Sequence, residues 1–112
     1  MKSFQIYSEE SVRSFLKDKN AEFKPSAAAI HPIEKRLYIL ASVGKLLVIA
    51  DTQGKVQEVY RLNPDIYQQP EGITFAPNGD MYISNEAKGL VPTLLYFPYH
   101  SNNKQINENE NE

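Results

Sequence analysis

The chain has 112 residues, a formal net charge of −2 and no cysteine. This length suffices for one domain at most, and the lack of cysteine excludes disulfides, thiolate metal sites and a cysteine nucleophile. The weakly acidic balance argues against nucleic acid as a partner. The longest aliphatic run, Leu46–Ala50, is too short for a direct membrane span.

Residues 1–22 predict one strand and one helix. Phe4–Tyr7 alternates apolar and polar residues, as a short strand does. A helix is predicted over residues 9–19, with Ser8 as its N-cap and Asn20 at its end. Its apolar stripe consists of Val12, Phe15 and Leu16. No apolar segment of signal-peptide length opens the chain, so we expect the chain as written not to be exported.

Residues 23–66 predict a complete unit of four antiparallel strands. The strands are predicted at residues 27–31, 36–41, 45–51 and 55–62. The first of them carries the small residues Ala27, Ala28 and Ala29, which suit an inner strand close to the axis of a propeller. Gly54 allows a positive φ in the tight turn that follows Asp51.

Residues 67–100 repeat this pattern through three strands and lack an evident fourth. The strands are predicted at residues 71–76, 80–85 and 93–97. Asn78-Gly79 lies between the first two and is typical of a two-residue hairpin turn. Residues 101–112 are polar with Ile106 as their single apolar residue, so we expect a disordered tail.

The sequences of the two units are similar and are offset by 45 residues. Pro25 and Pro32 are separated by seven positions, as are Pro70 and Pro77, and the following strands match Tyr38 with Tyr82 and Ile39 with Ile83. A strand-rich repeat of this period is typical of β-propeller blades. The predicted fold class is therefore all-β: a β-propeller fragment of about two four-stranded antiparallel blades plus one short helix.

Because a closed propeller needs about four blades or more, we expect the chain to be a piece of a larger ring. Phe4–Tyr7 has the position of an outer strand from a preceding blade, and the second unit lacks such a strand. The expected partners are the remaining blades or other copies of the chain. We expect the isolated chain to be unstable or to self-associate. The alternatives are three copies closed head to tail, aggregation, or an open two-blade fragment stabilised only by packing, and we favour a truncated fragment over a trimer.

Glu71 and Glu86 are the best candidates for a site. A two-residue turn at Asn78-Gly79 would place them directly opposite each other, where Cβ atoms lie about 5 Å apart and like charges are destabilising. A cation, a shared proton or a nearby lysine would compensate. With Asn85 beside them, the carboxylates offer hard oxygen ligands that suit Ca²⁺. The structural alternative is a solvated pair with Lys88 as counter-ion.

The first unit carries Ser26 and Ser42 at the positions of the two glutamates, so the carboxylates are not a general requirement of the unit. His31 precedes Pro32 at the end of a strand, which favours a structural role, and His100 borders the polar tail. No nucleophile–base spacing stands out. The seven tyrosines and five phenylalanines are explained by packing between sheets, because no basic stripe accompanies them.

A resemblance to a known family is carried by the segments FKPSAAAIHP, RLYILASVGKLLVIADTQGKV, QQPEGITFAPNGDMYISNEAKG and TLLYF. Over residues 4–97 the chain resembles the C-terminal part of the SdiA-regulated, YjiK-like β-propeller family of bacteria, most distinctively along Pro70–Glu86. The resemblance implies a longer parent with roughly six blades and an export signal or membrane anchor. It also implies a calcium-linked protein at the cell envelope or plasma membrane, with no settled biochemical activity.

The sequence is consistent with two functions. The first is a non-enzymatic binding or scaffold module that takes an envelope protein or a small ligand. The second is a fragment of a Ca²⁺-dependent propeller hydrolase of the lactonase or phosphoesterase type. Such a hydrolase would need further acidic or amide ligands from other blades, which this chain does not contain.

Overall fold

The computed structural model describes residues 8–86 and 91–100, which form one helix and seven strands in two antiparallel sheets. The elements in chain order are α1 (Ser8–Leu16), β1 (Lys24–Ile30), β2 (Leu37–Val43), β3 (Leu46–Ala50), β4 (Val56–Arg61), β5 (Pro70–Phe75), β6 (Met81–Asn85) and β7 (Thr93–Phe97). Sheet 1 has the order β1-β2-β3-β4 and sheet 2 the order β5-β6-β7. The prediction of an all-β fold with one short helix is confirmed.

The helix α1 ends earlier than predicted. Lys17 follows its last residue with a left-handed φ of 57°, and the Asp18 amide donates to the Arg13 carbonyl over 3.0 Å. This left-handed residue stops the helix, so the predicted end at Asn20 is wrong. Val12 is fully buried but Phe15 is half exposed, so the predicted apolar stripe is only partly used. The predicted strand Phe4–Tyr7 and the tail 101–112 lie outside the described residues.

Residues 37–41 of β2 and all of β3 form uninterrupted runs of buried, mainly apolar residues, as expected for strands that are covered on both faces. We call the face that meets the helix face A and the opposite face, which meets sheet 2, face B. Face A carries Leu37, Ile39, Ala41, Leu46, Val48 and Ala50, packed with Val12 and Phe23. Face B carries Tyr38, Leu40, Leu47 and Ile49, packed against residues of sheet 2. Sheet 1 is therefore the middle layer of three.

The register of the two sheets confirms the predicted repeat. Tyr38 pairs with Ala29 and Ile39 with Ala28 in sheet 1, while Tyr82 pairs with Thr74 and Ile83 with Ile73 in sheet 2. The partners in β1 and β5 are 45 positions apart and those in β2 and β6 are 44 apart, so the first hairpin holds one extra residue in its turn, as predicted.

Both inner strands also contain a β-bulge at the same place. In β1 the register shifts between Pro25 and Ala27, which leaves Ser26 without a directly opposed residue. In β5 the register shifts between Pro70 and Gly72, which leaves Glu71 without a directly opposed residue. A bulge kinks its strand and re-aims the side chain of the extra residue. The repeat therefore includes an irregularity as well as regular strands.

The turn between β5 and β6 has three residues rather than the predicted two. The Ala76 amide donates to the Asp80 carbonyl and the Gly79 amide to the Ala76 carbonyl, each over 2.8 Å, which leaves residues 77–79 as the loop. Gly79 has a φ of 98°. This pattern is a turn closed by one left-handed residue, the usual form of a three-residue hairpin loop. The predicted two-residue loop is wrong, and the register of the hairpin moves by one.

Candidate functional site

A cavity of about 330 Å³ opens between the two sheets at the end where the first turn of each sheet lies. We call it the inter-sheet cleft. Its apolar part is formed by Leu47, Ile49, Phe75, Met81 and Phe97. Charged and aromatic residues form the remainder, and this combination of an apolar wall with a few convergent polar groups is typical of a small-molecule site.

The charged part of the cleft is centred on Arg36. Its Nη1 donates to Glu58 Oε2 over 2.7 Å, and its Nε and Nη2 donate to Glu34 Oε1 over 3.0 and 2.8 Å. Burial opposes the charge of the guanidinium, but the hydrogen bonds to Glu58 and Glu34 outweigh it and raise the pKa of Arg36. These charge-assisted bonds hold a guanidinium between two carboxylates, so the formal charge of the three groups is negative.

Two tyrosine hydroxyls complete this network. Tyr38 donates to Glu34 Oε1 over 2.8 Å, and Tyr60 donates to Glu58 Oε1. Burial, together with the hydrogen bond to Glu34, raises the pKa of Tyr38. Burial opposes ionisation of Glu58, but the bonds from Tyr60 and Arg36 lower its pKa below the usual value. Both hydroxyls therefore donate to carboxylates, and the lowered pKa keeps Glu58 ionised at neutral pH.

His31 has the structural role that its sequence position predicts. Its ring is buried, and Nδ1 accepts hydrogen bonds from the Ile33 and Glu34 amides, each over 3.1 Å, across the first turn. Phe75 and Tyr99 lie against the ring with centroid distances of 4.7 Å each. Burial lowers the pKa of His31, so the imidazole is neutral at pH 7 with its proton on Nε2.

The predicted pair Glu71 and Glu86 is not directly opposed. Glu71 is the bulged residue, and the Glu86 amide donates to the Gln69 carbonyl over 2.8 Å. Both side chains are exposed. The longer turn and the bulge together explain the difference, because each shifts the partners along β5 by one residue. The predicted counter-ion Lys88 lies outside the described residues.

Asn85, the third predicted ligand, joins sheet 2 to the segment that precedes it. It is buried, its Oδ1 accepts from the Gln69 amide over 2.9 Å, and its Nδ2 donates to the Ile66 carbonyl over 2.8 Å. A metal would have to use the remaining lone pair of this oxygen. Within residues 8–86 and 91–100, no three His, Asp or Glu side chains come together as a metal-binding group.

Sheet 2 leaves one apolar face open. On β6 and β7 the side chains of Tyr82, Leu94 and Tyr96 point away from sheet 1. Leu94 is 66% exposed and Tyr96 53%, and the rings of Tyr82 and Tyr96 lie 5.2 Å apart. By the register of the repeat, this open face of sheet 2 is the counterpart of face B of sheet 1.

Sequence reasoning missed the cleft because Glu58 lies 22 positions after Arg36 and the facing wall comes from sheet 2. A signal was nevertheless present: hairpin pairing puts Tyr38, Ile49 and Glu58 in one row across three strands of sheet 1. Glu34 lies at the end of that row, where its carboxylate accepts from the Tyr38 hydroxyl. Only the packing of sheet 2 against face B turns this row into the wall of a cavity.

In the described part of the chain, the one helix falls far short of the length that a membrane crossing requires. No curated protein and no solved structure matches the chain in comparison. The model of the SdiA-regulated family matches residues 6–97, which is most of the chain and includes both sheets. The chain therefore belongs to the SdiA-regulated family.

Proposed function

We propose that the chain is a non-enzymatic binding or scaffold module, in which the two sheets serve as consecutive blades of a β-propeller. One observation carries the proposal: the open face of sheet 2 is the repeat counterpart of the face by which sheet 1 holds sheet 2. A surface that already serves as an interface in one repeat is suited to the same use in the next.

The packing between the two sheets supports the proposed order of blades. By the register of the repeat, the face of sheet 2 that carries Met81, Ile83, Leu95 and Phe97 corresponds to face A. This face A of sheet 2 packs against face B of sheet 1. Face A of sheet 1 is covered by α1 instead. The stack thus has a direction, with the helix at one end and an open face B at the other. A further sheet that presents its own face A, from the remaining blades, is the occupant that fits.

Light scattering on the purified chain tests this proposal. We expect the wild-type chain to self-associate reversibly, because Leu94 and Tyr96 expose apolar surface that the next blade would cover. Leu94→Lys should shift the mass toward the monomer. Ile66→Lys is the matched control, since Ile66 is 51% exposed but lies in the loop before β5, away from the open face.

The molar mass measured by light scattering also distinguishes between the possible arrangements of the associated copies. A dimer would place two open faces together, whereas a trimeric ring of two-sheet units would require α1 to leave face A of sheet 1. A folded monomer that persists at high concentration, with Leu94→Lys unchanged from wild type, would contradict the proposal.

Calcium binding and a location at the cell envelope belong to the same proposal. Membership of the SdiA-regulated family supports both, through the resemblance described above. The exposed carboxylates of Glu71 and Glu86, together with the side-chain oxygen of Asn85 at the end of β6, are the oxygens available to Ca²⁺. They supply only part of a coordination shell of about six to eight oxygens, so the proposed site takes further ligands from other blades or water.

A further inference from the structure

The inter-sheet cleft offers more hydrogen-bond acceptors than donors. Arg36 already makes four hydrogen bonds, to Glu34, Glu58 and Gln57. The Tyr38 hydroxyl is likewise directed at Glu34. What remains is the second oxygen of Glu34 and the Nε2–H of His31, which lie 3.9 Å apart, beyond hydrogen-bond range.

The charge of the cleft agrees with this excess of acceptors. Glu34 and Glu58 contribute two negative charges against the single positive charge of Arg36, and buried His31 is neutral at pH 7. The Glu34 side chain is only 17% exposed. A net negative charge at a partly buried site favours a cation, since a cation both neutralises the charge and donates hydrogen bonds.

The non-polar part of the cleft suits an organic ligand rather than a bare ion. The aromatic rings of Tyr38, Phe75 and Tyr99 lie along it, and Met81 and Phe97 extend the apolar surface. Aromatic faces attract ammonium groups, and the volume of about 330 Å³ is at the lower end of the range for small-molecule sites.

We propose that the inter-sheet cleft binds a small organic cation: an amine with a compact apolar body. The ammonium group lies at Glu34 and Glu58 and donates to their carboxylates, while the body packs against Met81 and Phe97. The cleft lies between the sheets and the docking face lies on the outside of sheet 2, so this proposal does not depend on the one above.

A series of probes with one body and three head groups tests the proposal on the wild-type chain. The probes are 3-phenylpropylamine, 3-phenylpropanol and 3-phenylpropionate, titrated at pH 7 by ligand-observed NMR. Because a hydrogen bond to a charged group is stronger than a neutral one, we expect the amine to bind at least about tenfold more tightly than the alcohol. The carboxylate should bind least. Equal binding of amine and alcohol, preference for the carboxylate, or no binding of any probe would overturn the proposal.

Two glutamine variants locate the site. Glu58→Gln and Glu34→Gln should each lower the affinity for the amine by about tenfold and leave the affinity for the alcohol little changed. Glu22→Gln is the matched control, because Glu22 is exposed and does not line the cleft. If Glu34→Gln fails to fold by circular dichroism, Glu58→Gln and the wild-type probe series still decide. Amine binding that both variants leave intact would place the site elsewhere and refute the assignment.

Discussion

The Ser26 hydroxyl donates a hydrogen bond to the Pro70 carbonyl over 3.0 Å, and this bond joins the inner strands of the two sheets. Ser26 is the bulged residue of β1, and Pro70 precedes Glu71, the bulged residue of β5. The same hydroxyl lies 3.2 Å from the Leu40 carbonyl within sheet 1. The bulge in sheet 1 thus helps to hold sheet 2 in place.

Ser26→Ala should therefore destabilise the fold. Removal of the hydroxyl leaves the Pro70 carbonyl without this donor in a part-buried position, and we expect the free energy of unfolding to fall by about 1 kcal/mol. Urea denaturation measures the change. Ser42→Ala is the control, because Ser42 lies on β2 and makes no bond to sheet 2; equal effects of the two variants would contradict the role given to Ser26.

Gly44→Ala should cost more stability than Gly79→Ala. Both glycines have a left-handed φ, of 95° and 98°, so each substitution carries a backbone cost of about 1–2 kcal/mol. A Cβ at Gly44 would lie 2.0 Å from the Glu22 carbonyl oxygen, which is fixed backbone. At Gly79 it would meet the Tyr99 ring at 2.8 Å, and a ring can move. Thermal unfolding of the two variants checks the order, and a reversed order would show that the Gly44 turn adapts.

Stability should fall as the pH drops below about 6.5, because of His31. Burial lowers its pKa in the folded protein, with Glu34 opposing and Arg36 adding to the effect. The unfolded chain then binds the proton more readily, so the free energy of unfolding decreases as pH falls from the ordinary value toward the lower folded value. Protonation at Nδ1 also removes the acceptor of the Ile33 and Glu34 amides.

The variant His31→Asn separates this effect from other titrations. Its side-chain oxygen can accept the same two amides but does not titrate, so the loss of stability between pH 7 and pH 5 should be smaller than in wild type. Because His100 is present in both proteins, the difference between their pH profiles reports on His31 alone. Thermal melting at several pH values gives the comparison, and parallel pH profiles would exclude His31 as the cause.

Calcium binding is expected to depend on Glu71 and Glu86. Calorimetry with Ca²⁺ should show binding that Glu86→Gln and Glu71→Gln each weaken, because a carboxylate supplies both charge and ligand oxygens. Glu22→Gln should leave it unchanged. If wild type and both variants bind alike, or none binds, the two carboxylates are solvated surface groups.

The positions of the strands and their repetition could be predicted from the sequence alone. Alternation of apolar residues, uninterrupted apolar runs and turn residues are local features, and they identify β2, β3 and β6 without knowledge of the neighbours. The equivalence of Tyr38 with Tyr82 follows from the same local pattern. So does the role of His31, since a histidine just before the Pro32 turn is placed to accept from the backbone of that turn.

The tertiary structure decided the register and the site. One additional loop residue and one bulge move Glu71 away from Glu86, and neither follows from composition, because a two-residue and a three-residue turn can share the same Asn-Gly. Glu34 and Arg36 are close in the chain, but Glu58 joins them only when β2, β3 and β4 pair, and only sheet 2 on face B encloses the cleft. Contacts between residues this far apart in the chain depend on the packing of whole sheets, which no local pattern records.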